Sequence, residues 1–251
     1  MKFSANLGFL WSDLPLPEAI RAAKVAGFDA VECHWPYGYA AQDVKTALLE
    51  TGLPMLGLNT SRGDADGMGL SALPDRVPEA RAAVDQAIAY AAEIGAANVH
   101  VMAGFAEGDA ARECFVQNLS YACAEAFRHN ITVLIEPINR YDAPGYFLQT
   151  TDQAISVMDE VGAANLKLMF DCYHVQRMEG AVTQRLERLL PRIGHIQFAS
   201  VPDRGPPDQG ELNYDYIFSH IADLGYKAPL GAEYKPIGHT DDTLRWLVRA
   251  R

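Results

Sequence analysis

The chain has 251 residues, 49% of them hydrophobic and 21% charged, and its formal net charge is −11. No apolar run approaches the roughly 20 residues that a membrane-spanning helix needs, and the first residues lack the features of a secretory signal, so we expect a cytoplasmic protein without membrane contact. The acidic excess repels phosphate groups, so nucleic acid is not an expected partner. The four cysteines form no CxxC pair, and we expect free thiols.

Short apolar segments alternate with amphipathic segments along the whole chain. The short segments are nearly continuous in apolar character, which is typical of parallel strands covered on both faces. The longer segments repeat their apolar residues with the 3.6-residue period of a helix. In chain order the predicted strands cover residues 3–8, 30–33, 54–60, 98–104, 132–138, 166–171, 195–200 and 229–235, and a helical segment follows each of them.

Eight strand–helix units in a chain of 251 residues predict a (β/α)8 TIM barrel. A doubly wound open sheet is the alternative, but no G-x-G-x-x-G sequence follows the first predicted strand. The chain contains no low-complexity segment and no charge-rich linker. We therefore expect a single domain that comprises residues 1–251.

The longest predicted loops all follow strands. They read SRGDADGMGLSALPDR after the third strand, NRYDAPGYFLQ after the fifth and VPDRGPPDQGELN after the seventh. In a barrel, the loops that follow strands form the carboxyl-terminal rim, where active sites are built. The sequence therefore predicts that the functional site lies at this rim.

Polar residues interrupt the apolar character of the last four predicted strands. They are Glu136, Asp171, Gln197 and Glu233, one for each strand. Neighbouring strands lie about 4.8 Å apart, so these side chains can converge on one point. Three buried carboxylates raise one another's pKa, and a divalent cation removes that conflict. Oxygen donors of this kind favour Mg²⁺ or Mn²⁺. The alternative is that each acid caps a helix or pairs with an arginine at the rim.

Four longer segments carry a family resemblance. They are LIEPINRYDAPGYFL (134–148), NLKLMFDCYHVQRMEG (165–180), IGHIQFASVPDRGPPDQGELNYDYIF (193–218) and LGAEYKP (230–236). With them, nearly the whole chain resembles the hydroxypyruvate isomerase family of the xylose isomerase-like TIM-barrel superfamily. The resemblance implies a metal-dependent isomerase that interconverts hydroxypyruvate and tartronate semialdehyde (2-hydroxy-3-oxopropanoate) through a cis-enediolate.

The resemblance also implies roles for individual residues. Glu136 and Glu233 would bind the metal and transfer the proton, and Asp171 and Gln197 would complete the metal site. Related ketose 3-epimerases usually have histidine at the position of Gln197, so this difference favours the isomerases. His174 and Arg204 would contact substrate oxygens.

Further site residues follow from position in the chain. Asp142 lies six residues after Glu136 and is a candidate polar group near the substrate, although it could equally orient Arg140. Lys235 lies two residues after Glu233 and shares its facing if the strand continues regularly, which makes Lys235 a candidate cation for a substrate carboxylate. Other candidates for lining the pocket are Asn6, His34, Trp35, Asn59 and His100.

Several alternatives remain open from the sequence. The partner is expected to be a small 2-oxo or hydroxy acid, and a 2-oxo-tetronate isomerase would share the same metal and proton chemistry, since one extra carbon is a matter of pocket depth. A ketose 3-epimerase is a third candidate. A metal-dependent repair endonuclease or a non-catalytic sugar-acid binding protein would belong to other classes, and the acidic charge argues against the endonuclease. The oligomeric state is open, a homo-oligomer included.

Overall fold

The computed structural model describes residues 1–250, in which eight parallel strands alternate with helices. The strands are β1 (Phe3–Asn6), β2 (Ala30–Glu32), β3 (Gly57–Asn59), β4 (Asn98–His100), β5 (Thr132–Ile135), β6 (Leu166–Asp171), β7 (Ile193–Phe198) and β8 (Leu230–Ala232). The helices are α1 (Leu16–Ala26), α2 (Ala41–Thr51), α3 (Val77–Ile94), α4 (Gly108–Phe127), α5 (Thr151–Val161), α6 (Cys172–Met178), α7 (Val182–Leu189), α8 (Tyr214–Asp223) and α9 (Arg245–Arg249). Short 3₁₀ turns cover Pro36–Gly38, Pro74–Arg76, Leu190–Arg192 and Thr240–Thr243.

The strands form one sheet whose order is β2-β1-β8-β7-β6-β5-β4-β3, with parallel pairing throughout. The two edge strands also meet, because Val31 donates a backbone hydrogen bond to Pro54 at 3.0 Å and accepts one from Leu56 at 2.7 Å. These bonds join β2 to the segment that leads into β3 and bring the sheet around on itself. The predicted (β/α)8 TIM barrel is therefore confirmed.

The core follows from the two apolar periods in the sequence. All four residues of β1 are buried, as expected for a strand between the barrel interior and the outer helices. Helix α3 buries Ala80, Ala87 and Ile94, which recur at seven-residue intervals, along with other small residues of the same face. Among the described residues, no helix combines the length and the apolar composition needed to cross a lipid bilayer.

Several strands are shorter than the sequence predicts, and their carboxyl-terminal ends carry the site. Strand β5 ends at Ile135 and β8 ends at Ala232, so Glu136 and Glu233 are the first residues of the loops that follow. Asp171 is the last residue of β6, and its side chain accepts a hydrogen bond from the backbone of Tyr173 at the start of α6. The acidic side chains thus stand where the strands open into the rim.

Candidate active site and metal centre

Four acidic and histidine side chains converge at the rim. Glu136, Asp171, His174 and Glu233 each place one potential ligand atom so that all four atoms lie within 4.8 Å of one another. All four residues are buried, none more than 5% exposed. Glu136 and Glu233 follow directly on the last residues of β5 and β8, and Glu233 still pairs with the neighbouring strand, because its backbone N–H donates to the carbonyl of Phe198 at 3.1 Å.

Three oxygen atoms in this region are buried without a hydrogen-bond partner among the described residues. They belong to Glu136 (Oε1), Asp171 (Oδ2) and Gln197 (Oε1). A buried polar atom without a partner costs free energy, and several such oxygens side by side are what a hard divalent cation satisfies. These unpartnered oxygens belong to three of the four predicted metal ligands, so the structure supports a metal ion there independently of the sequence. The fourth, Glu233, lies in the same cluster.

The side chain of Gln197 has a defined orientation. Gln197 pairs with Asp171 in the register of β6 and β7, so both face the interior. Its Nε2 donates to Oε1 of Glu32 at 2.9 Å. Because an ionised carboxylate only accepts hydrogen bonds, Glu32 selects the nitrogen of the amide and leaves the oxygen for the site. Gln197 is thereby presented as an oxygen ligand.

A polar network below the site holds Glu32 itself. Asn6 donates to Glu32 Oε1 at 3.1 Å, and His195 Nε2 lies 2.5 Å from Oε2. The network fits because residue 231 is glycine: a Cβ there would lie 2.5 Å from Glu32 Oε1 and 2.8 Å from His195 Nε2. The sequence reasoning missed Glu32 and His195. The signal was a charge within the apolar strand AVEC, the same signal that identified Glu136.

Arg204 lies inside the cluster of carboxylates. One of its terminal nitrogens is 2.6 Å from Glu233 Oε2 and 3.7 Å from Asp171 Oδ2. Its guanidinium also lies 4.9 Å from the ring of Phe9 and 5.1 Å from the ring of Tyr173. Burial alone would lower the pKa of Arg204, but the neighbouring carboxylates outweigh it and raise that pKa. Arg204 is therefore a permanent positive charge between the acidic groups.

The two glutamates have opposite protonation tendencies. Burial, reinforced by the charges of Glu233 and Asp171, raises the pKa of Glu136 well above its usual range. Burial acts in the same direction on Glu233, but Arg204 and His34 outweigh it and hold the pKa of that carboxyl far below its usual range. Burial raises the pKa of Asp171 to about 7, against the opposing charge of Arg204. Two carboxyls with separated pKa values are the arrangement that acid–base chemistry uses.

The hydrogen bonds of His174 determine its tautomer. Its Nδ1 accepts from the backbone N–H of Asn139 at 3.2 Å and lies 2.7 Å from Asn139 Nδ2. The Asn139 amide is itself oriented, because its Oδ1 accepts from the backbone of Tyr141 and Asp142. Burial, then the charge of Arg204, lowers the pKa of His174 to about 3. The neutral ring therefore carries its proton on Nε2, 3.7 Å from Glu136 Oε1, and this N–H is available to donate to a ligand in the cavity.

A cavity of about 290 Å³ opens over the cluster. At the small end of the range for ligand pockets, it suits a small substrate. His34, Trp35, Asn59 and His100, which the sequence put forward as lining residues, contribute to its wall. The full lining consists of Gly8, Phe9, His34, Trp35, Asn59, Arg62, Met68, His100, Met102, Glu136, Ile138, His174, Arg204 and Glu233.

Two predicted substrate contacts lie outside this cavity. Lys235 is exposed, because β8 ends at Ala232 and the regular alternation that would have given Lys235 the facing of Glu233 stops there. Its backbone N–H instead donates to the carbonyl of Arg204 at 2.7 Å. Asp142 is not part of the lining either: it accepts from Tyr173 at 2.8 Å and pairs with Arg177 at 3.0 Å.

Comparison with known proteins agrees with this geometry. Residues 20–250 match the family model described as xylose isomerase-like TIM barrel, so the chain belongs to that family. Two curated relatives over nearly the full length are named as isomerases, and the chain is an isomerase of this family.

The relatives differ in the substrate that their names give. The 2-oxo-tetronate isomerase of Cupriavidus necator is 43% identical over 98% of this chain and 97% of the relative. The hydroxypyruvate isomerase of Escherichia coli is 38% identical over 98% of each protein. A crystal structure from Brucella melitensis, described as an AP endonuclease of family 2, superposes with a TM-score of 0.96 at 38% identity over 100% of this chain and 99% of that chain.

Proposed function

We propose that the chain is a metal-dependent isomerase that interconverts hydroxypyruvate and tartronate semialdehyde, acting as a single domain. The observation that carries this proposal is the pair of buried glutamates, Glu136 and Glu233, that share one cluster with Asp171 while three oxygens there are without a hydrogen-bond partner. The hydroxypyruvate isomerase of Escherichia coli, similar over nearly its full length, supports the substrate class.

The metal would be held by oxygen atoms alone. Glu136, Asp171, Gln197 and Glu233 supply three carboxylates and one amide carbonyl, the donor set that Mg²⁺ and Mn²⁺ favour. His174 is left out of this set because its Nε2 carries a proton. When bound, the ion supplies electrostatic stabilisation for negative charge that develops on the substrate oxygens.

The two glutamates would move the proton. Conversion of the ketone into the aldehyde requires removal of a proton from the hydroxymethyl carbon and return of a proton to the neighbouring carbon, through a cis-enediolate, while the hydroxyl proton passes from the terminal oxygen to the former carbonyl oxygen. One glutamate takes the proton and the other returns one, since both lie in one buried cluster and both line the cavity.

Two further residues would orient the substrate. His174 offers its Nε2 proton to a substrate oxygen, and this donor is fixed in place by Asn139 on the opposite side of the ring. Arg204 has a buried Nε without a partner among the described residues, while its terminal nitrogen contacts Glu233. Both residues line the cavity above the glutamates and hold substrate oxygens over them.

A 2-oxo-tetronate substrate is the second candidate, supported by the relative in Cupriavidus necator, since it keeps the same reacting atoms and adds one carbon. A ketose 3-epimerase would act on neutral sugars, whereas the cavity wall holds two arginines, Arg62 and Arg204, that suit an acid. An endonuclease would have to bind a polyanion against a net charge of −11.

The decisive experiment is an NMR assay in D₂O with hydroxypyruvate, 2-oxo-tetronates and ketoses offered separately. We expect isomerisation of hydroxypyruvate with incorporation of solvent deuterium, loss of activity with EDTA and recovery with added Mn²⁺ or Mg²⁺. Preferred turnover of a 2-oxo-tetronate would move the assignment to the second candidate. Binding of the acids without deuterium exchange would contradict the enzymatic proposal.

A further inference from the structure

The cavity contains two arginines, and they have different surroundings. Arg204 is buried among the carboxylates, with a terminal nitrogen 2.6 Å from Glu233. Arg62 belongs to the loop after β3 and is partly exposed in the wall of the same cavity. Among residues 1–250, no carboxylate lies within ion-pairing distance of Arg62. Its charge is therefore the one in the cavity wall that an acidic ligand can use without competing with a protein carboxylate.

The local contacts of Arg62 keep its hydrogen-bonding edge available. Its Nε donates to the carbonyl of Gly67 at 3.0 Å, and the guanidinium lies 4.5 Å from the centre of the Trp35 ring. Trp35 is held in turn by its own N–H bond to the carbonyl of Thr60 at 3.1 Å. The two terminal nitrogens of Arg62 make no hydrogen bond with the described residues. A planar guanidinium with a free edge matches a carboxylate through two parallel bonds.

The loop that carries Arg62 has a defined backbone. The carbonyl of Arg62 accepts from Gly69, and a Cβ at Gly67 would lie 2.4 Å from that same carbonyl oxygen. Gly69 has a φ of +105°, and a Cβ there would lie 2.3 Å from the carbonyl oxygen of Met102, beyond the end of β4. The glycines let the loop close against this segment, and this positions Arg62 over the cavity.

A cation in the cavity wall would offset the charge that an acidic ligand brings. A 2-oxo acid brings a negative charge to a cavity that already contains Glu136 and Glu233, in a chain whose net charge is −11. Arg204 is shared with Glu233 and Asp171, and Lys235 lies outside the cavity. Resting on the proposed function, we propose that Arg62 binds the substrate carboxylate and makes the enzyme select acids over neutral hydroxyketones.

The test compares two ligands and three variants. Dihydroxyacetone is hydroxypyruvate with the carboxylate replaced by a hydroxymethyl group, so it keeps the reacting hydroxyketone without the charge. Arg62→Met removes the cation and Arg62→Lys keeps the charge without the planar fork. Arg140→Met is the matched control, because Arg140 also stacks on an aromatic ring, that of Tyr141, but lies outside the cavity lining. Binding is measured by titration calorimetry of the Mn²⁺ protein, and turnover by NMR.

We expect Arg62→Met to raise the Kd for hydroxypyruvate by about 10- to 100-fold, because a charge-assisted bidentate contact is lost. In the kinetics, the main change should be a rise in KM. The affinity for dihydroxyacetone, measured as a substrate or as a competitive inhibitor, should change by no more than about twofold. The Kd of Arg62→Lys for hydroxypyruvate should lie between those of the parent protein and Arg62→Met. The Kd of Arg140→Met should match that of the parent protein within about twofold.

Two results would overturn the Arg62 assignment. An unchanged Kd and KM for hydroxypyruvate in Arg62→Met would show that the carboxylate is bound elsewhere. Equal weakening of both ligands would show that Arg62 only supports Trp35 and the loop. Failure of the proposed function is a separate outcome: the parent protein would bind the acid through Arg62 but would not isomerise it.

Discussion

The two halves of the barrel contribute different kinds of residues to the site. Strands β5 to β8 and their loops supply every predicted metal ligand, namely Glu136, Asp171, Gln197 and Glu233, together with His174 and Arg204. Strands β1 to β4 and their loops supply the groups that contact those residues or face the ligand, namely Asn6, Glu32, His34, Arg62 and His100.

The contacts between the halves indicate a division of labour. Glu233 accepts from Asn6 at 2.9 Å and lies 2.9 Å from His34 Nε2, while Gln197 is oriented by Glu32. A ligand held by a second hydrogen bond keeps the orientation that metal binding requires. In the proposed mechanism the second half therefore carries the chemistry, while the first half orients the metal ligands and binds the substrate carboxylate.

The largest effect should come from the glutamates of the second half. Glu136→Gln and Glu233→Gln each remove one of the two carboxylates that the proposed proton transfer needs, so we expect turnover to fall by about 10³-fold or more at saturating Mn²⁺. NMR exchange assays measure the loss, and thermal unfolding checks that the fold is kept. Glu113→Gln, an exposed change on α4, is the control. Near-normal turnover in either variant would refute the assigned role.

A smaller effect should follow from a change in the first half. Glu32→Met removes the carboxylate that accepts from Gln197, so nothing holds the Gln197 nitrogen away from the site and its oxygen is no longer directed there. We expect Mn²⁺ affinity to fall by about 10- to 100-fold, as for other groups that orient metal ligands. Calorimetric titration of Mn²⁺ measures this without reference to activity. An unchanged Mn²⁺ affinity would mean that the network is only a packing feature.

His100 in the first half and His174 in the second should both remain neutral at mildly acidic pH in the metal-free protein. Burial lowers the pKa of His100 to about 4 and that of His174 to about 3, so both stay neutral down to about pH 5. The unfolded chain takes up these protons near pH 6.5, so their contribution to stability is lost as pH falls from 6.5 towards 4. Nitrogen-15 NMR should show His174 with its proton on Nε2 across this range. A titration near pH 6.5 would contradict the assignment.

The smallest effect should come from Lys235, which the sequence put forward as the carboxylate partner. Since it is exposed and outside the cavity, we expect Lys235→Met to change KM for hydroxypyruvate by less than about twofold. Steady-state kinetics of Lys235→Met and Arg62→Met compares the two KM values directly. A larger rise in KM for Lys235→Met than for Arg62→Met would reverse the roles of the two loops.

The parts of the site that the sequence predicted share one signal, a charged or polar residue at the end of an apolar strand. Glu136 and Asp171 have this signal, and strand period together with chain order was enough to bring them to one rim. Lys235 lies outside the cavity lining because its facing depended on the strand continuing past Ala232, and strand ends are set by the contacts of the following loop. Arg62 lies in a long loop, where no period relates position in the chain to direction in space.

The sequence by itself determined the barrel and the rim on which polar side chains gather, because periodicity and the order of strands follow from local residue types. The tertiary structure alone decided which atom of Gln197 faces the site, which tautomer His174 adopts and which cation remains free for a ligand. Each of those depends on a partner distant in the chain: Glu32 lies 165 residues from Gln197, and Asn139 lies 35 from His174. Hydrogen bonds across such separations exist only once the barrel has closed.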